Sequence, residues 1–190
     1  MEQDLVSVRH ERSQKDFPKF KFDTDEYVEY NFSRAKSRLF MLWGGAGLAI
    51  IVILIAFLIA LTGVKIDEMG KNFVLTLLLI LTTIIIIAVL VATMVHRNNK
   101  LIITNKRAMQ MIMKSPTATS TNVIDLVSVE DASFSQNSIH ERFLGYGTLR
   151  LSTVGDETTY TFPYSNISAE ELAGVIRLIS EAKKNLKAKN

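Results

Sequence analysis

Apolar positions run together in the middle of the chain and alternate with polar ones after it. From Leu39 to Val64 no ionisable side chain occurs, and none occurs from Phe73 to Val95. Each stretch exceeds the roughly 20 residues that carry a helix across a hydrocarbon core. In lipid the backbone must satisfy its own hydrogen bonds, so even the β-branched runs Ile50–Ile53 and Thr82–Ile87 are predicted as helix. The short link Lys65–Asn72, with Gly70 for a turn, predicts an antiparallel hairpin. Trp43 suits an interfacial position, and the spacings Gly45/Ala49 and Ala88/Ala92 permit close helix approach.

After "HRNNK" the period changes to two, the signature of strands with one buried face. "KLIIT" predicts a strand, Asn105 and Lys106 a tight turn, and Arg107–Lys114 a returning strand with Met109, Met111 and Met113 on one face. "SPTATS" (Ser115–Ser120) reads as a polar turn, followed by short strands over Asn122–Leu126 and Val127–Gln136. Gly147–Val154 alternates through Leu149 and Leu151, turns at Gly155 and Asp156, and returns through Tyr160, Phe162 and Tyr164. Ser168 and Glu171 form an S-x-x-E capping box. The helix it opens carries the stripe Leu172, Val175, Ile176 and Ile179, with Lys183, Lys184 and Lys187 near its end. A curved antiparallel sheet plugged by this amphipathic helix is the economical packing for 97–187.

Ahead of the apolar runs, residues 1–23 show no sustained period and predict a flexible tail. Phe17, Phe20 and Phe22 beside Lys15, Lys19 and Lys21 could dip into an interface, but the plainer expectation is a solvated segment in which Pro18 blocks a helix. Asp25–Phe40 reads as an interfacial helical turn feeding the first span. The expected organisation is a cytoplasmic N-terminal tail over 1–38, a transmembrane hairpin over 39–95 (spans 39–64 and 73–95), and a compact domain over 97–187.

Charge sets the orientation. Arg34, Lys36 and Arg38 precede the first run, Arg97 and Lys100 follow the second, and the link holds only Lys65 and Lys71. Positive flanks stay inside, so both termini are expected in the cytoplasm of a two-span protein of the cell membrane. The net charge of +3 is mild; it suits an anionic membrane surface and excludes a nucleic-acid footprint. The absence of cysteine removes disulfides, thiolate metal sites, cysteine nucleophiles and palmitoyl anchors together. The first apolar run begins too late and runs too long for a signal peptide.

The inventory for catalysis is poor. His10, His96 and His140 are isolated, and no H-x-x-x-H, Walker loop, dinucleotide fingerprint or G-x-S-x-G occurs. Glu130 with Asp131 and Glu170 with Glu171 are adjacent carboxylates without an acid–base setting. No catalytic residue, metal site or cofactor is therefore assigned. The apolar runs also hold no charge of the kind that marks ion paths, which favours an anchor over the alternative, a component of a small channel or transporter.

Three segments, "LIITNKR" (Leu101–Arg107), "VIDLVSVEDASFSQ" and "ERFLGYGTLRLST" (Glu141–Thr153), resemble the bacterial pleckstrin-homology-like membrane proteins, the bacterial PH domain family. The resemblance covers residues 97–181. It implies an α+β membrane protein: a two-helix hairpin followed by a PH-like antiparallel β-barrel or sandwich capped by the C-terminal amphipathic helix. In "FLGYGTL", Phe143 and Leu144 would seat a short helical turn against the barrel, while Gly145 and Gly147 would allow backbone closed to larger residues. The implied role is a non-catalytic scaffold or binding module for a protein, peptide or lipid headgroup. Lys100, Lys106, Arg107, Arg142 and Arg150 are the candidate headgroup or partner contacts. Lys100, Lys106, Arg107 and Lys114 are spread out, unlike the clustered cations of phosphoinositide-binding relatives of the wider fold. Membrane lipids and a protein partner or second copy of the chain are the expected partners.

Overall fold

The computed structural model describes residues 2–18, 20–62, 67–153 and 159–189. The chain forms two compact units, one of Met1–Ala35 with Arg97–Asn190 and one of Lys36–His96.

The second unit is built on α2 (Lys36–Thr62) and α3 (Glu68–Asn98), two helices long and apolar enough to cross a membrane. Both reach beyond the uncharged runs at one or both ends, because a nucleated helix propagates at little cost through polar residues. The end of the first run at Val64 and the link residue Lys65 lie outside the described residues. Thr76, Thr82, Thr83 and Thr93 donate to their own helix carbonyls four residues back. Thr93 also accepts from the Trp43 indole at 3.1 Å, a bond between the two helices. No α2 side chain is buried.

The first unit is a sandwich of two antiparallel sheets. β1 (Val28–Ser33), β2 (Lys100–Thr104), β3 (Arg107–Ser115) and β4 (Ala118–Asp125) make one sheet in that order. A single 3-10 turn, Leu126–Ser128, leads into β5 (Val129–Ser135); α4 (Ile139–Leu144), β6 (Gly147–Thr153) and β7 (Thr159–Ser165) come next, and β5-β6-β7 form the second sheet. Between them lie Phe32, Leu101, Ile103 and Ile124 from one side and Ala132, Leu149, Leu151 and Phe162 from the other, closed by Val175 and Ile179 of α5 (Ala169–Lys189). The α5 capping box forms as its spacing predicts: the Ser168 N–H donates to Glu171 and the Glu171 N–H donates to the Ser168 hydroxyl.

Several expectations are corrected. Residues 1–23 are not a flexible tail: α1 (Glu2–Asp16) precedes Pro18, and Phe20 and Phe22 are buried against Ile102 and Met109 on the outer face of the first sheet, with Phe17 and Met111 beside them. That face was already apolar because the methionines share it, and the phenylalanines remove it from water. Asp25–Phe40 is not a helical turn: Val28, Tyr30 and Phe32 alternate in β1, which pairs with β2, while α2 starts only at Lys36. The compact unit therefore extends past 97–187 to take in the N-terminal segment, and the helical hairpin is inserted between its first and second strands. "SPTATS" is mostly strand, with a turn confined to Pro116 and Thr117, since the β3–β4 register continues to Ser115 and Ala118. The turn at Gly155 and Asp156 lies outside the described residues.

Candidate functional site

The five cations singled out in the sequence do not converge. Lys106 is exposed at the β2–β3 turn, Arg150 is exposed in mid-β6, and Arg142 is exposed on α4. Lys100 is half-buried at the opposite end of β2 from Lys106, its ammonium 5.9 Å from the Phe17 ring centre.

Arg107 is committed internally. Its Nε donates to Glu26 at 3.1 Å, its Nη2 donates to the other carboxylate oxygen, and Asp23 lies 3.6 Å away. Thr104 donates its hydroxyl to Glu26 at 2.7 Å. Glu26 is fully buried. Burial by itself would raise its carboxyl pKa, but the bonds from Arg107, Thr104 and the Asp23 N–H outweigh it and hold the group below its ordinary value. The Arg107 guanidinium is pushed up by the same pairing. This network fastens the segment before β1 to the β2–β3 turn and gives Arg107 a structural ion pair.

A second polar assembly forms where the chain leaves the sandwich for α2. Ser33 pairs with Lys100, Arg34 bridges to Ser165, and Ser165 pairs with Gly147, so the exit from β1, the return into β2 and the start of β6 share one end of the unit. Tyr164 has φ 60°, in a conformation that bulky residues rarely adopt. The β6–β7 register slips beside it at Pro163, a proline placed at a bulge. The Tyr164 carbonyl accepts the Ala35 N–H. The Arg34 guanidinium lies 5.5 Å over the Tyr164 ring, Tyr164 meets Tyr146 edge-on at 5.9 Å, and Tyr146 meets His140 at 6.2 Å. Burial lowers the Arg34 pKa against the opposing pull of Tyr164.

This ladder ends on α4. The Glu141 carboxylate accepts the Asn137 and Ser138 N–H groups, which hold its pKa below the ordinary value. Gly145 closes the helix at φ 66°, as its left-handed position requires. Gly147 serves by close approach instead: a Cβ there would lie 2.5 Å from the Ser135 carbonyl oxygen and 2.7 Å from the Phe134 ring. Phe143 does not seat the turn. It is 88% exposed, and the fully buried Tyr146 fills that role, with Leu144 half-buried. Sequence reasoning missed Glu26, Tyr146 and Tyr164; Tyr146 stood inside the quoted motif, whereas Glu26 carries no local signal.

At the other end, a shallow groove of about 690 Å³ runs between the β2–β3 turn at Lys106, Asp125 and the last turns of α5 at Asn185 and Leu186. Among the described residues no three His, Cys, Asp or Glu side chains are placed to hold a metal ion.

Four strands facing three, closed by a C-terminal helix, define an antiparallel α+β module consistent with the pleckstrin-homology-like fold. The model of the bacterial PH domain family matches residues 39–183, and the chain belongs to that family. The match begins after β1, so the N-terminal segment lies outside it. Among solved structures, the crystal structure of a DUF1696 family protein with a pleckstrin-homology domain from Shewanella loihica PV-4 is similar at 11% identity and a TM-score of 0.33, over 45% of this chain and 70% of that one. No curated protein matches the chain.

Proposed function

We propose that the protein is a membrane-anchored, non-catalytic binding module whose PH-like sandwich works at the cytoplasmic face of the cell membrane. The observation that carries this reading is the insertion of two bilayer-length apolar helices between β1 and β2 of a domain from a binding-module family. Large side chains such as Leu54, Ile55, Leu79 and Ile84 stand half or more exposed on those helices. In water that much apolar surface is untenable, and in lipid it is the anchor. The basic flanks Arg34, Lys36, Arg38, Arg97 and Lys100 support a cytoplasmic location for both ends of the hairpin. A protein or peptide is the proposed partner of the sandwich, beside the lipid itself.

Alkaline carbonate washing of membranes holding the full chain tests the anchor: the protein is expected to stay in the pellet, and release into the supernatant refutes it. Protease added to right-side-out vesicles is expected to spare residues 97–190, and cleavage there refutes the orientation. Capture from detergent extracts tests the partner, with a reproducible stoichiometric companion as the expected result.

A further inference from the structure

We infer that α4 is a lipid-inserting wedge, whose Ile139 and Phe143 side chains enter the boundary between headgroups and acyl chains and seat the exit end of the sandwich on the membrane. The inference rests on the anchored reading and goes beyond it by naming a membrane contact outside the hairpin.

Ile139 and Phe143 are 89% and 88% exposed, the two most exposed large apolar side chains among the described residues, above every one on α2 and α3. They stand four residues apart, one above the other on a single helix face. Water-exposed apolar side chains on a soluble surface normally occur singly. This pair is instead held out by a rigid corner: Glu141 ties the helix start, Gly145 closes its end, and the buried Tyr146 anchors the entry to β6. The rigidity matters, because a backbone already fixed in the presenting conformation has lost the freedom that ordering it on insertion would otherwise cost.

Position identifies the occupant. The corner sits at the end of the sheets from which the chain departs, linked through Gly147, Ser165 and Arg34 to Ala35. α2 begins at the next residue. With a rise of about 1.5 Å per residue, the first residue of the uncharged run, Leu39, is reached within roughly 6 Å along the helix. A bilayer that receives α2 is thus near the exit end of the sandwich by covalent continuity, and no diffusing partner has that advantage. Arg142, exposed next to Phe143, is placed to meet a lipid phosphate. The opposite end, with Lys106 and the α5 groove, has no such connection.

The single tryptophan makes the test direct. The full chain is reconstituted in vesicles of phosphatidylcholine and phosphatidylglycerol with or without brominated acyl chains. Three proteins are compared: the native chain reporting from Trp43, a Trp43→Phe/Phe143→Trp chain, and a Trp43→Phe/Lys106→Trp chain as the distal control. Quenching of the Phe143→Trp chain is expected to exceed that of the Lys106→Trp chain at least about threefold, as insertion of roughly 5–10 Å requires, with a blue-shifted emission. If Trp43 is quenched and the Phe143→Trp chain is not, the wedge is refuted and the anchor stands. If Trp43 itself escapes quenching, the anchored reading fails and takes the wedge with it. A blue shift without quenching would mean that protein, a partner or a second copy, covers the pair, and it overturns the inference. Adding Ile139→Glu to the Phe143→Trp chain should return its emission to that of the Lys106→Trp chain; an unchanged melting temperature shows that the exposed site tolerates the change.

Discussion

Residues 1–35 and 36–96 reverse the usual relation between apolar content and burial. The N-terminal segment carries six basic and eight acidic residues, yet Phe20, Phe22, Phe32 and Glu26 are buried in it. The hairpin is apolar almost throughout, yet α2 buries nothing and α3 buries only Val89 and His96. Hydrophobicity alone does not decide where a segment packs. The deciding factor is whether a complementary surface is offered: the outer face of the first sheet offers Ile102 and Met109 to the phenylalanines, while the hairpin meets its own partner medium, which we propose is lipid.

That contrast can be broken, and the strongest test is Glu26→Ala. It removes the buried acceptor of Arg107 and of the Thr104 hydroxyl while Arg107 keeps Asp23 at 3.6 Å, and should cost about 3 kcal/mol of folding stability, the lower end for a broken buried pair, measured by denaturant unfolding of the full chain in detergent. A loss below about 1 kcal/mol, the level of a surface pair, would make the N-terminal segment an accessory and not part of the fold.

Two carboxylates set an acid limit. The Glu26 and Glu141 carboxyls are held below their ordinary value of 4.5 in the folded chain. Their contribution is therefore complete above that value and falls away as the pH drops through the lowered folded values. Melting temperature should decline on acidification below this point, and Glu26→Gln should flatten most of that decline because it removes the buried proton-binding group.

Phe22→Ala comes next. Truncation of a buried phenylalanine costs about 3 kcal/mol or more, whereas Leu54→Ala, on a helix with no buried side chain, should change unfolding by about 0.5 kcal/mol or less, as for other substitutions away from packed contacts. Comparable losses at the two positions would show that the hairpin is packed against protein and would remove the contrast between the segments. Gly145→Ala should have a smaller effect than Phe22→Ala, about 1–2 kcal/mol for a Cβ in the left-handed region, because α4 is a short element at the unit's edge. The double change Gly145→Ala with Gly147→Ala should exceed it clearly, since the second Cβ meets the Ser135 backbone.

The amino-acid sequence alone determined the apolar runs of the hairpin, the strand alternation from Leu101 to Tyr164 and the capping box at Ser168. Each is a local pattern, and its period reports which face leaves water. β1 was within reach of the same reasoning, because Val28, Tyr30 and Phe32 alternate; its nearness to the basic flank drew it into a helical reading instead. Burial of Phe20 and Phe22 was not legible, since three aromatics among lysines acquire meaning only when a sheet face lies beneath them. The Arg107 role was equally hidden: Thr104 and Glu26 are 78 residues apart, separated by the whole hairpin, and a buried ion pair between distant segments has no period. Only the tertiary structure decided these contacts and the corner of Arg34, Tyr164, Tyr146 and α4. Sequence spacing encodes neighbours along one element, whereas pairing between elements depends on which surfaces meet once the chain has closed.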